Sequence, residues 1–215
     1  MAFATQARYH YPTLLGKGSV SIALVGALLA VAAPAAAEGD SANANDVSFW
    51  GVTFLGGVLS PQGPMADTHK AALLTGARVS WTHKSGFGIV VHGEYSPLPR
   101  RLGALAPLET YETHFGVATI GPRFVLGRGF ARLWASGGGG VSYEHTTRKY
   151  RDDMGRPVEE TNDDVAPVVV AATGLELHFM KSGGVLVAGT YTKTYKRAVP
   201  RKYVALVGGL VFIFK

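Results

Sequence analysis

From residue 47 onward the chain reads as eight strand-length runs whose separating breaks alternate between long and tight. The runs are Val47–Ser60, Lys70–His83, Phe87–Leu98, Thr110–Leu126, Phe130–Thr146, Val165–Met180, Val185–Tyr195 and Lys202–Phe214. Pro61–His69, Pro99–Glu109 and Thr147–Asp164 are long breaks, and Lys196–Arg201 is intermediate. Lys84-Ser85-Gly86, Gly127-Arg128-Gly129 and Lys181–Gly184 are tight. Each tight break contains glycine, which supplies the positive φ that hairpin turns need. In a closed up-and-down sheet, odd-numbered connections lie at one end and even-numbered ones at the other. Small membrane barrels have short turns at one end and longer loops at the other, and an even strand count. A sandwich gives no reason for such regular alternation.

Four of the runs show a period of two, which assigns alternate residues to opposite faces of a strand. Leu73, Ala77, Val79 and Trp81 oppose Gly76, Arg78, Ser80 and Thr82. Phe87, Ile89, Val91 and Tyr95 oppose Gly88, His92, Glu94 and Ser96. The fifth run sets Leu133, Val141 and Tyr143 against Arg132, Trp134 and Glu144; the sixth sets Leu175, Leu177 and Phe179 against Gly174, Glu176 and His178. In a membrane barrel the apolar face meets lipid and the polar face the lumen; a soluble ligand-binding barrel inverts this. In the fourth run Thr119, Gly121 and Arg123 are read as inward, and Ile120, Phe124 and Leu126 as outward. The first, seventh and eighth runs leave their register open; Lys193 is read as inward or near a rim.

The expected lumen holds Arg78, Arg123 and Arg132 against Glu94, Glu144 and Glu176, with His92 and His178 nearby, and position along the strands puts most of them, Glu144 excepted, in the half nearer the tight turns. Buried charges are costly unless paired. An eight-stranded barrel is filled by side chains or holds one small ligand. The expectation is therefore a salt-bridged plug with a structural role rather than an open pore. Gly137–Gly140 lacks the Lys-Ser/Thr and helix of a phosphate loop. Glycine inside a strand more often marks a bulge, a bend or a close neighbour.

The chain contains no cysteine, which removes disulfides, thiolate zinc sites and thiol nucleophiles. Its formal charge is +6, but the basic residues are dispersed, so nucleic acid is not an expected partner. No cofactor or metal is expected. Lys17, the apolar run Ser19–Val31 and the Ala-rich stretch ending at Ala37 form an export signal. Residues 1–37 are read as a cleavable signal peptide, 38–46 as a flexible lead-in, and 47–215 as the barrel domain.

The run Tyr203–Phe214 is uncharged and carries Phe212 and Phe214 at alternate positions. Alone it fits a buried core strand or a lipid-facing strand with an aromatic foot. The alternating breaks favour the second reading, with this run closing the barrel against the first.

These features, with the terminal Gly-Gly-Leu-Val-Phe-Ile-Phe and the segment Gly116–Phe124, resemble the small OmpA/OmpX-like outer-membrane β-barrel family. The fold class that follows is all-β: an eight-stranded antiparallel up-and-down transmembrane barrel behind a signal peptide. The resemblance implies residence in the outer membrane of a Gram-negative bacterium. The implied partners are outer-membrane lipid, lipopolysaccharide and the barrel assembly machinery, with Phe212 and Phe214 as the assembly signal. Lys215 after that aromatic departs from the family pattern. A monomer is expected, with no periplasmic peptidoglycan-binding domain.

The leading functional expectation is a non-enzymatic barrel with a structural or surface-interaction role through its outer loops. Arg148, Lys149 and Arg151 begin the longest break and Glu159, Glu160, Asp163 and Asp164 end it. Its basic groups suit lipopolysaccharide phosphates, while the plainer reading is a solvated loop. One alternative is a narrow, OmpW-like conduit for small or apolar solutes. Others are a barrel-embedded lipid-modifying enzyme and a soluble lipocalin-like barrel. The enzyme candidates are His114 with Glu112 and His145 with Glu144. Neither has a serine completing it, and neighbouring strand residues such as Glu144 and His145 face opposite ways.

Overall fold

The computed structural model describes residues 48–100, 108–127, 129–180, 182–196 and 200–214. The expected signal peptide and lead-in lie outside the described residues. Eight antiparallel strands close into one barrel in sequence order. They are β1 (Phe49–Gln62), β2 (Ala72–Thr82), β3 (Phe87–Pro97), β4 (Leu108–Leu126), β5 (Ala131–Arg151), β6 (Pro157–Met180), β7 (Gly183–Thr194) and β8 (Arg201–Phe214). A single described turn of helix, α1 (Pro64–Thr68), sits between β1 and β2. β8 closes the sheet against β1, from Trp50 opposite Phe214 to Gln62 opposite Lys202.

The wall is inside out. Phe54, Leu73, Ile120, Val165 and Leu210 are all more than half exposed on the exterior. Arg78, Arg123, Arg132, Glu94, Glu144 and Glu176 are all buried inside. That is the reverse of a soluble barrel. Phe87, Phe124, Phe130, Phe179 and Phe214 ring the short-turn rim, while Tyr95, Tyr143, Tyr191 and Tyr195 stand exposed toward the other. Aromatic belts of this kind mark the two membrane borders. On β5, Ala131 to Tyr143 spans roughly 28 Å of height at 3.3 Å per residue and a 45° tilt, close to the ~25 Å apolar band of such barrels.

The three undecided strands now have a register. On β1 Phe49, Thr53, Leu55 and Leu59 face inward, and Trp50, Phe54 and Val58 outward. On β7 Leu186, Ala188, Thr190, Thr192 and Thr194 face inward. Lys193 does not: it shares the outer face with Tyr191 and Tyr195, its Nζ 4.7 Å from the Tyr195 ring centre. It therefore snorkels along the aromatic belt at the outer rim. On β8 Tyr203, Ala205, Val207, Val211 and Ile213 face inward, and Leu206, Leu210, Phe212 and Phe214 outward.

The glycines divide by face. A Cβ on inward Gly121 would lie 1.9 Å from the Gly137 carbonyl oxygen, and one on inward Gly140 2.0 Å from that of Ala118. A Cβ on outward Gly116 meets nothing nearer than 3.9 Å. The Gly137–Gly140 run is thus a place of close backbone approach on its inner side, with no register shift there. Gly121→Ala is expected to cost about 1–3 kcal/mol of stability by overpacking, and Gly116→Ala close to nothing. Urea titration of the folded barrel in detergent reads the difference; equal midpoints would refute it.

The longest break of the sequence reading is corrected. Most of Thr147–Asp164 is strand, and only Asp152–Arg156 turns. Antiparallel register explains why: it places Lys149 opposite Glu159 and Arg148 opposite Glu160, so the basic start and acidic end lie across from one another. Opposite charges on facing positions stabilise a strand pair. The turn is held by Asp152, whose Oδ1 accepts the Arg156 and Met154 N–H groups at 2.8 and 3.0 Å. Those backbone donors, with the Arg156 guanidinium, hold the Asp152 carboxyl below its ordinary pKa. Gly155 supplies the positive φ of 75°.

Candidate functional site

The lumen charges form two separate groups. The lower one, toward the tight turns, is built by β2, β3, β4, β5 and β6. Arg123 pairs with Glu176, and its Nη1 donates to Ser80 Oγ at 2.6 Å. It thus ties β4 to β6 on one side and to β2 on the other. Arg132 lies directly opposite Glu176 in the β5–β6 ladder. His178 Nε2 is 3.4 Å from Glu176 Oε2. His92 Nε2 and Glu94 Oε1 lie 2.9 Å apart without hydrogen-bond alignment.

Arg78 is held differently. Its guanidinium carbon sits 4.2 Å from the ring centre of Trp134, and Arg123 approaches the same indole at 5.5 Å. Among the described residues, none of the three Arg78 side-chain nitrogens has a hydrogen-bond partner. A desolvated cation over an indole face is worth about 2 kcal/mol or more. Arg132 stacks likewise over Phe49, at 5.1 Å.

Glu144 belongs elsewhere. It stands 12 positions beyond Arg132 on β5, roughly 40 Å along the strand at 3.3 Å per residue. There it pairs with Arg201 and, at 3.0 Å, with Lys196 Nζ. Lys196 also reaches Asp164 at 2.6 Å. Glu144 thus stands apart from the other lumen charges, as its position along the strand implied, and takes Lys196 and Arg201 as its own cations. Lys196 and Arg201 were not expected in the lumen, since they belong to a basic stretch that reads as loop. Trp134 was visible on the inward face of its run, but its place between two arginines was not.

An apolar layer separates the two groups. Leu55, Leu59, Leu74, Phe115, Val117 and Val207 are buried there. α1 corks the outer mouth: Met65 is buried, and Tyr203 Oη donates to its Sδ at 3.3 Å. Tyr203 also packs on Phe115, with ring centres 4.5 Å apart.

The candidate catalytic pairs lie as the strand period implied. His114 and Glu112 lie on the outer face, and His114 Nδ1 is 2.6 Å from Tyr95 Oη. His145 is outward and Glu144 inward. His145 Nδ1 instead meets Asp163 Oδ1 across the ladder at 2.7 Å, and Tyr143 Oη donates to the same oxygen at 2.7 Å. Thr147 Oγ1 lies 3.4 Å from His145 Nε2.

Beyond the outer aromatic belt, β5 and β6 continue together as a ribbon, with β4 paired along the other edge of β5 as far as Leu108 opposite Tyr150. β7 stops pairing at Val168 opposite Thr194, whereas β5 follows β6 out to Arg151 opposite Pro157. From Tyr143 to Arg151 the ribbon rises roughly 19 Å at 3.3 Å per residue and 45° tilt.

No protein-family model matches the sequence, and no curated protein matches it. Solved structures do. Neisserial surface protein A aligns over 77% of this chain and 97% of its own, at 7% identity and a TM-score of 0.51. The outer-membrane protein OprG from Pseudomonas aeruginosa aligns over 78% and 96%, at 11% identity and a TM-score of 0.51. These likenesses concern the fold. With an apolar exterior, a charged interior and eight strands closed in order, the chain has the fold of a small eight-stranded outer-membrane β-barrel.

Proposed function

We propose that this barrel is a non-enzymatic membrane anchor that presents the β5–β6 ribbon at the cell surface for interaction with other molecules. The observation that carries this reading is the ribbon itself: both strands run well past the outer aromatic belt with their charges exposed. Extra length beyond the membrane border serves no need of the membrane wall. Phe212 and Phe214 are proposed as the signal read by the assembly machinery. The exterior wall meets outer-membrane lipid as a monomer. Lipopolysaccharide phosphates remain a proposed contact of the ribbon's basic side, although Lys149 already faces Glu159 at 3.3 Å.

One arrangement supports the non-enzymatic reading. Asp163 engages His145 Nδ1 and the Thr147 hydroxyl stands 3.4 Å from its Nε2, but the β5 backbone at that level is spent in ladders on both sides. An acyl-transfer site needs donors aimed at the developing oxyanion.

The conduit reading is disfavoured by the cork of Met65 and the apolar layer beneath it. Liposomes carrying the barrel are expected to show no small-solute flux above empty vesicles; flux would revive the conduit. Replacing residues 149–159 with an Asn-Gly turn is expected to preserve folding and abolish adhesion of displaying cells to coated surfaces. Unchanged adhesion would remove the surface role.

A further inference from the structure

The outer part of β6 is paired on one side only. From Pro157 to Ala166 it is bonded to β5, and no described residue pairs with its other edge. The direction of its backbone groups follows from two bonds. Tyr195 N–H donates to the Pro167 carbonyl at 2.8 Å, so Pro167 faces the β7 side. Ser142 Oγ donates to the Ala166 carbonyl at 3.1 Å, so Ala166 faces β5. Backbone groups alternate along an antiparallel strand. Glu159, Thr161, Asp163 and Val165 therefore present their N–H and C=O groups at the open edge.

The side chains of that edge strand carry one sign. Glu159, Glu160, Asp163 and Asp164 fall within six residues, with no cation among them. The side chains that meet them stand on other segments: the cations Lys149 on β5 and Lys196 after β7, and the His145 imidazole on β5. The Lys149–Glu159 pair is more than half exposed on both sides, and such surface pairs are weak and easily exchanged.

We propose that this edge takes up an extended cationic peptide segment as an added strand. The inference rests on the surface-interaction reading and names the chemistry of the partner. Main-chain bonds to the free groups of Thr161 and Asp163 would supply the affinity, and the carboxylates the selectivity. The same charges exclude a second copy of this chain. Two-fold antiparallel pairing centred on Thr161 sets Glu159 against Asp163. Centred between Thr161 and Asn162, it sets Glu160 against Asp163 and Glu159 against Asp164. Like charges directly opposite are destabilising, so the edge is guarded against self-association and open to a basic strand.

Backbone parity makes the test discriminating. Proline at Thr161 removes an N–H that points at the open edge and breaks no bond to β5. Proline at Asn162 removes one that points at β5 and is expected to distort the ribbon. The probes are acetyl-(Lys-Thr)5-amide and acetyl-(Lys-Pro)5-amide, equal in charge, titrated against the whole barrel in nanodiscs. The Lys-Thr peptide is expected to bind and to protect the Thr161 and Asp163 amides from exchange. Thr161→Pro is expected to weaken it about tenfold, the scale of one or two hydrogen bonds, with heat-modifiable gel migration unchanged. Glu159→Gln with Glu160→Gln is expected to flatten the salt dependence. Equal binding by the Lys-Pro peptide, or by Thr161→Pro, would reduce the effect to charge alone and overturn strand addition. Loss of adhesion in the Asn-Gly ribbon variant, with adhesion intact in Thr161→Pro, would likewise overturn strand addition while leaving the surface role standing. Adhesion unaffected by both would overturn the two together.

Discussion

A chain ending at Lys202 is expected to form no closed barrel. β8 pairs with β1 from Trp50 to Gln62 and with β7 from Gly183 to Thr194. Its removal leaves two long edges of unpaired N–H and C=O groups at membrane depth. Each such group costs several kcal/mol in hydrocarbon, so no rearrangement of seven strands recovers the loss. The truncated chain should remain protease-sensitive and unchanged in gel migration on boiling. The control is Phe212→Ala with Phe214→Ala, which keeps every ladder bond. It removes two outward rings, one of them packed edge-on against Phe54 at 6.2 Å. That variant should assemble slowly and, once assembled, withstand denaturant nearly as the parent does. Insertion and protease resistance of the truncated chain would show that β8 does not close the barrel.

The sequence was legible where polarity differs between the two faces of a strand. On β2, β3 and β6, arginine, histidine and glutamate alternate with branched and aromatic residues, and every face assigned from that alternation is the one observed. β7 resisted because Thr190, Thr192 and Thr194 suit either environment, and Lys193 left the reading between lumen and rim. Its ammonium lies beside Tyr195 at the rim, the second of those two places. β8 resisted because the upper lumen is itself apolar. Tyr203, Ala205 and Val207 pack against residues such as Phe115, so both faces of that strand carry the same signature. The ribbon was hidden for a different reason. Charged residues in number read as loop, and their cross-strand matching emerges only once the turn is placed at Asp152–Arg156. Gly155 after Asp152-Asp153 was a usable signal for that turn. Ion-pair partners are the least legible feature. Position along β5 set Glu144 apart from Arg132, but its partners Lys196 and Arg201 stood in a basic stretch that reads as loop.

The lower lumen group depends on one carboxylate more than on any cation. Glu176 pairs with Arg123, lies opposite Arg132 in the ladder, and feels Arg78 electrostatically. Glu94 is the other buried carboxylate of that group, and it sits beside His92. Glu176→Gln preserves shape and leaves three buried guanidinium groups facing one glutamate. Removing one partner of a buried pair typically costs about 3–5 kcal/mol, so the urea midpoint of the folded barrel should fall sharply. Arg78 should feel this least directly, since Trp134 holds it through its π face rather than through a carboxylate. The paired change Glu176→Leu with Arg123→Met should recover most of the loss, because apolar replacement of a whole buried pair is often neutral or stabilising. A cost below about 1 kcal/mol for Glu176→Gln would mean that the lower lumen is hydrated well enough to screen its arginines. Glu176 would then not be what holds β4 and β6 together across the barrel.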